Sequence, residues 1–358
     1  MAQQMLAYIR EESAVWKTIL DHRKELSKEF VARWKDEPFS RFVLVGSGSS
    51  NTASQFAKEI LERLIGVEVT VTSPTRIGNL LPLLKGQRVV CCVSSQSGKS
   101  TNSIHAVEVI HDAGYTVTAV TAHLDSPVAA ACDGCVEVLC GEENVGAKTK
   151  GMTGTALTLI MLGMELALAK GILTQARYQE TIEAFYQAAD CAGANVEASI
   201  QWCAEHRELA AAPHMILIAD GTNIPAILEG ALKILETLYI PVFAYEFEEY
   251  LHGVGNTLNT DSWLVFLTSE QGDRKRFMNL YDFAQEHGSH DYIMATGAPT
   301  GHPGELLLRS SGNELTLPFE TLIPFQVISA VLSEEKGINC DHPQFTDFAE
   351  RMNTKALK

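Results

Sequence analysis

The sequence predicts an α/β protein of two domains, each a parallel sheet with helices on both faces. Two observations lead there. At 358 residues the chain exceeds what a single hydrophobic core usually encloses, so two domains are the default expectation. From Arg41 onward, short β-branched runs alternate with helical stretches, and a second alternation of the same kind begins near His214. That pattern belongs to strand–helix–strand units closing a parallel sheet.

In chain order, Leu6, Ile9, Val15, Ile19 and Leu20 recur near helical spacing with charges between them, which predicts amphipathic helices leading into the first domain. Strands are expected at FVLVG, VEVTVTS, VVCCVSS, TVTAVTA and VEVLCG, with helices such as NTASQFAKEILERLIG and STNSIHAVEVIHDAG between them. The Ala-rich stretch 152–212 predicts helices that finish the first domain and bridge to the second. There HMILIAD, VFAYEF, WLVFLTS, DYIMATG and ELTLPF predict another set of strands. The repeated order of elements points to an internal duplication. The expected division is a helical lead-in at 1–40, a first domain at 41–172, a helical linker at 173–212, a second domain at 213–336 and a tail at 337–358.

Composition narrows the function. Hydrophobic residues make up 46% and charged residues 20%, the profile of a chain that buries sizeable cores. A net charge of -16 argues against nucleic acid or an anionic membrane as partner, because neither gains from a surface of its own sign. The start MAQQMLAYIREESAVW has no apolar signal core, and no run of 18 uncharged apolar residues occurs, so a cytoplasmic protein is expected. Eight irregularly spaced cysteines, with Cys91 and Cys92 inside an apolar run, suit buried thiols in a reducing compartment. Cys132 and Cys135 form a CxxC, but no second CxxC or paired His completes a zinc set. No metal and no organic cofactor is expected.

Two turns are suited to an anion. Val43-Leu44-Val45-Gly46-Ser47-Gly48-Ser49-Ser50-Asn51 runs from strand through small residues into helix, where unpaired amides and the helix dipole favour negative charge. Such a turn serves equally as a tight connection and helix cap. Val93-Ser94-Ser95-Gln96-Ser97-Gly98-Lys99-Ser100-Thr101 repeats the feature with more hydroxyls, an amide and a lysine than a cap requires. Both lie at the carboxyl edge of the expected sheet, where open parallel sheets bind ligands. In the second half the matching turns are Asp220-Gly221-Thr222-Asn223 and Thr268-Ser269-Glu270-Gln271-Gly272-Asp273, whose acids would repel a phosphate. One phosphate site, in the first domain, is expected.

Candidate acid–base groups lie in the second half. In the segment Asn223–Leu238, Glu229, Lys233 and Glu236 fall on one helical face, either as a solvated salt-bridged stripe or as the lining of a cleft. Glu246-Phe247-Glu248-Glu249-Tyr250-Leu251-His252-Gly253 is an acidic loop ending in His-Gly. A carboxylate and an imidazole suit proton movement between adjacent sugar carbons at neutral pH, although a lone turn histidine is often structural.

Together SSQSGKS, LEGALKILE and the His-Gly after a Glu-rich loop resemble the sugar-isomerase (SIS) family. The similarity is to its two-domain members, the isomerase half of glutamine–fructose-6-phosphate aminotransferase and the fructosamine-6-phosphate deglycases. The resemblance implies two flavodoxin-like SIS domains. It implies that Ser49, Ser95, Gln96, Ser97 and Ser100 hold a 6-phosphate, with Lys99 standing where the family usually has Glu. It makes Glu236 the group that moves the proton between the first two carbons and His252 the ring-opening or general-acid histidine, entering from a neighbouring subunit. Glu229 and Lys233 would line the sugar pocket, and GEENVGAKTKG would put Gly146, Ala147 and Thr149 near the sugar, with Gly48 beside them. A homodimer or larger assembly follows.

Two departures shape the activity expected. The chain opens Met1-Ala2-Gln3, without the amino-terminal cysteine and glutaminase domain of the full aminotransferase, so no ammonia supply is expected. Asp341-His342-Pro343 resembles the family's Asp-x-Pro, but Phe348 stands near the place of the expected lysine and Lys355 lies too far on. The reading is a deglycase that releases glucose 6-phosphate and an amine from a 6-phosphorylated fructosamine or glucosyl-amino acid. The alternatives are an aldose–ketose or aminosugar-phosphate isomerase and a non-catalytic phosphosugar sensor.

Overall fold

The computed structural model describes residues 3–270 and 273–356. Gln271 and Gly272, in the second acidic turn, lie outside the described residues, as do Met1, Ala2, Leu357 and Lys358. The chain divides into two compact units. The amino-terminal unit comprises Ala14–Glu143, Lys150–Tyr186 and Gln344–Lys358; the carboxy-terminal unit comprises Met1–Ser13, Asn144–Thr149 and Gln187–Pro343. Both are discontinuous, so the lead-in, the first domain and the tail drawn as contiguous blocks are each shared between units.

In the amino-terminal unit, β1 (Arg41–Val45), β2 (Glu68–Thr72), β3 (Val89–Ser94), β4 (Val117–Thr121) and β5 (Gly134–Glu137) form one sheet in the order β2-β1-β3-β4-β5. All its pairings are parallel. Strand β3 is buried along its whole length, which is why it reads as a continuous apolar run rather than an alternation. Its cysteines are free and buried within the core. The 20-residue helix Lys150–Ala169 is long and apolar enough to cross a membrane, but it is almost wholly buried, as core helices of this composition are.

In the carboxy-terminal unit, β6 (Met215–Ala219), β7 (Val242–Glu246), β8 (Trp263–Thr268), β9 (His290–Thr296) and β10 (Leu306–Leu308) form a second parallel sheet in the order β10-β9-β8-β6-β7. Counted within each sheet, both orders read 2-1-3-4-5. This is the flavodoxin-like order, with its switch point between first and third strands.

One expected strand is corrected. ELTLPF is not in the sheet: Leu317 begins the helix Leu317–Glu335, and the fifth strand is the shorter β10 upstream. Pro318 sits in the first helical turn, where its missing N–H removes no bond. Asn313 accepts from the Leu315 amide and Glu320 reaches back to the Ser311 amide, which holds the turn before the helix.

Candidate functional site

In the amino-terminal unit two polar turns follow β1 and β3, the strands that flank the switch point. After β1 the chain passes Gly48, at φ +54°, into the helix Ser49–Ile65 with no side-chain cap. Gly46 is needed there, because a Cβ would fall 2.6 Å from the Ser50 carbonyl oxygen. Asn102, one residue into the helix after β3, donates to Ser47 Oγ at 3.0 Å and ties the two turns together.

The second turn is tightly built. Ser95 is buried and its amide donates to the Val120 carbonyl at 3.0 Å. Ser95 Oγ lies 3.4 Å from Ser100 Oγ, and Ser97 Oγ accepts from the Lys99 amide at 3.5 Å. Gly98 adopts φ +63° and a Cβ there would meet Ser126 Oγ at 2.0 Å, so only glycine fits. Ser49, Gln96, Ser97 and Ser100 are half-buried. Ser100 opens the helix Thr101–Asp112 without capping it, and its hydroxyl accepts from Ser95 Oγ instead.

Two features of this turn escape sequence reasoning. Gln96 Nε2 lies 3.9 Å from Cys140 Sγ, and Gln96 and the buried Glu143 both close on Gly151, whose amide donates to Glu143 Oε2 at 3.0 Å. Lys150 is buried alongside. The charges of GEENVGAKTKG look like a solvated loop, so nothing in the pattern marks Glu143 or Lys150. The second feature is the tail. The Ala356 amide donates to the Lys99 carbonyl at 2.7 Å, the Thr101 amide to the Thr354 carbonyl at 3.2 Å, and Ser100 pairs antiparallel with Lys355. Paired residues of an antiparallel bridge project to the same side, so the Lys355 side chain leaves the backbone on the side of the Ser100 hydroxyl.

The carboxy-terminal unit holds the acid–base candidates. In the helix Ile224–Leu238, Ile227, Ala231, Ile234 and Leu238 are buried, and Gly230 lets Phe325 approach to 2.7 Å of where a Cβ would stand. Glu229 is 0% and Lys233 1% exposed, so the charged face is not a solvated stripe. Lys233 Nζ lies 3.5 Å from Glu229 Oε1 and 2.5 Å from Glu236 Oε2, while the Glu236 side chain stays 38% exposed. One buried ammonium thus fixes one oxygen of a carboxylate that opens to solvent.

His252 ends the short helix Phe247–Leu251 beyond β7 and is exposed. Its Nδ1 donates to the Glu248 carbonyl at 2.8 Å, which leaves the lone pair of the neutral ring on Nε2. Glu236 precedes β7 and His252 follows it, and no hydrogen bond links the two among the described residues. The strand between them alone spans about 13 Å.

Gly146, Ala147 and Thr149 belong to the carboxy-terminal unit, where the Gly146 amide donates to the Asp341 carbonyl at 3.1 Å. Phe348 is exposed and starts the helix Phe348–Arg351. Among the described residues no group of three or more His, Cys, Asp or Glu is placed to hold a metal ion.

No protein-family model matches the chain. It is 25% identical over 317 residues to the glutamine–fructose-6-phosphate aminotransferase (isomerizing) of Caldanaerobacter subterraneus subsp. tengcongensis, covering 86% of this chain and 51% of that protein. The chain spans about half the length of the curated relatives it matches. Among solved structures, a candidate phosphosugar isomerase from Clostridium difficile 630 superposes with a TM-score of 0.90 at 26% identity, over 99% of both chains. The C-terminal domain of glucosamine-fructose-6-phosphate aminotransferase from Francisella tularensis superposes with a TM-score of 0.81 at 20% identity, over 95% and 98% of the two chains.

Proposed function

We propose, from the premise that this is a two-domain sugar-isomerase (SIS) chain, that it is a deglycase acting on a 6-phosphorylated sugar amine. The observation that carries the reading is Glu236, a solvent-facing carboxylate whose Oε2 is held by a buried lysine while Oε1 accepts no hydrogen bond among the described residues. A group so placed can take a proton without moving.

In this reading the hydroxyls of Ser49, Ser95, Ser97 and Ser100, with the Gln96 amide, bind the phosphate. Glu236 removes a proton from C1 of the open-chain ketosamine and the electrons move to give an enaminol. The proton returns at C2, which leaves a C1 imine; water adds across that bond and the amine leaves, giving glucose 6-phosphate. The imidazolium form of His252 gives a proton to O2 as the enaminol forms, and the neutral ring takes the nitrogen-bound proton as the C1 imine forms, so the O2 hydroxyl stays in glucose 6-phosphate. Phe348, near the place where the family carries a lysine, favours hydrolysis by water over a route through an enzyme-bound imine. As the family resemblance implies, a second chain supplies the histidine, so the reading includes a homodimer or larger assembly.

The test is a substrate panel of fructoselysine 6-phosphate, glucoselysine 6-phosphate, glucosamine 6-phosphate and fructose 6-phosphate, assayed for glucose 6-phosphate and free amine. Release of both from a fructosyl or glucosyl amine is the expected result. Interconversion of fructose 6-phosphate or glucosamine 6-phosphate alone makes the chain an isomerase instead. Binding without turnover makes it a sensor.

A further inference from the structure

At the carboxyl edge of the second sheet, between β6 and β8, Asp220, Thr222, Glu246, Glu248, Ser269 and Asp273 line a cavity of about 190 Å³. This is the switch point of that sheet, where open parallel sheets take their ligands. The first sheet presents hydroxyl-rich turns at the corresponding point; the second presents carboxylates.

Three of these acids already have work. Glu246 accepts the Glu249 amide at 2.9 Å, Asp273 accepts the Arg276 amide at 3.1 Å, and Glu248 pairs with the Arg276 guanidinium. Asp220 does not cap the helix that follows it. Burial, with Glu246 nearby, pushes its carboxyl up to about 6. Independently, Thr222 lines the same cavity, is 7% exposed, and its hydroxyl has no hydrogen-bond partner among the described residues. A negative charge short of compensation and an unmade hydrogen bond thus meet in one crevice. An occupant that relieves both brings positive charge together with N–H donors.

We propose that this crevice binds a small primary ammonium ligand, whose N–H groups donate to Asp220 and Thr222 with Glu246 supplying further negative charge. Among the described residues no group of three or more His, Cys, Asp or Glu is placed to hold a metal ion, and a hydroxyl beside two carboxylates suits the N–H donors of an organic cation. The helix Ile224–Leu238 starts beside the crevice and carries Glu236 near its far end, roughly 18 Å along the axis. The crevice is therefore separate from Glu236 and does not depend on the role assigned to that residue.

The experiment is isothermal titration of the full chain with 4-aminobutan-1-ol, with butane-1,4-diol as the neutral analogue of the same size and magnesium chloride as an inorganic cation. The amine is expected to bind about tenfold or more tightly than the diol, and Asp220→Asn and Thr222→Val each to weaken it while leaving phosphosugar turnover and the melting temperature undiminished. Equal binding of amine and diol, unchanged binding to Asp220→Asn, displacement of the amine by magnesium, or no binding at millimolar concentration would each overturn the assignment.

Discussion

Glu236 and His252 stand beyond opposite ends of one strand, Val242–Glu246, with the carboxylate before it and the imidazole after it. In the proposed reading a second chain supplies the histidine, and a site shared between two chains makes a distinctive prediction. Glu236→Gln and His252→Ala are each expected to lower kcat by about 10²- to 10⁴-fold. An equimolar mixture, unfolded and refolded together, should recover about a quarter of wild-type activity. If dimers form at random, half of them are hybrids, and each hybrid keeps one intact site. Activity in the mixture no higher than in either parent would rule out the shared site.

Lys233 separates stability from activity on one helix face. Its ammonium is buried between Glu229 and Glu236, so Lys233→Ala removes the cation that faces the buried Glu229 carboxylate. Breaking a buried pair this way costs about 3–5 kcal/mol. Pairing Lys233→Met with Glu229→Gln, which removes both charges, should recover most of that in a urea unfolding curve. Glu236→Gln, on the solvated side, should cost under about 1 kcal/mol while losing turnover. A Lys233→Ala protein as stable as wild type would mean that Glu229 is compensated elsewhere.

The turn after β3 is set by steric closeness, and two glycines distinguish that from conformational preference. Gly48 and Gly98 both have positive φ, but only Gly98 would drive a Cβ into Ser126, while nothing lies within 4 Å of Gly48. Gly48→Ala should cost about 1–3 kcal/mol, because φ +54° with ψ -131° is a backbone region that residues with a Cβ rarely adopt. Gly98→Ala should cost more and raise KM for a phosphosugar at least tenfold, because Ser95, Ser97 and Ser100 move with the turn. Equal effects of the two substitutions on KM would detach the serine turn from phosphate binding.

Most of the strands were legible because strands buried on both faces read as near-continuous apolar runs, β3 and β8 most clearly. Strand β10 was not, since three leucines carry no alternation, and Leu315 and Leu317 in ELTLPF mimic a strand while Pro318 starts a helix. The hydroxyl turn was legible because its residue types exceed what capping needs. The tail segment that pairs with Lys99, Ser100 and Thr101 was not, because a backbone pairing across some 250 residues leaves no local pattern. Glu229 and Lys233 were left open between surface and cleft, since helical spacing gives a shared face but not its burial.

The last prediction concerns pH and stability, through Asp291 in β9. Burial pushes its carboxyl up to about 6, against a hydroxyl that donates from Ser289 Oγ at 2.9 Å and the electrostatic influence of the neighbouring His290, which both favour the charged form. With the folded pKa raised above the unfolded one, the folded chain binds the proton more tightly. The contribution to stability is fully present below about pH 4 and is lost as pH rises through about 6. Asp291→Asn cannot ionise, so it should match wild type near pH 4 and exceed it at pH 7.5. The gain should be on the order of 1 kcal/mol, held down by partial solvation of the side chain. Asp220 is raised toward the same value, so the wild-type slope between pH 4 and 6 should flatten in the variant without vanishing. Urea midpoints at the two pH values decide it: a difference independent of pH, or one larger at pH 4, would show that Asp291 is not held as the neutral acid.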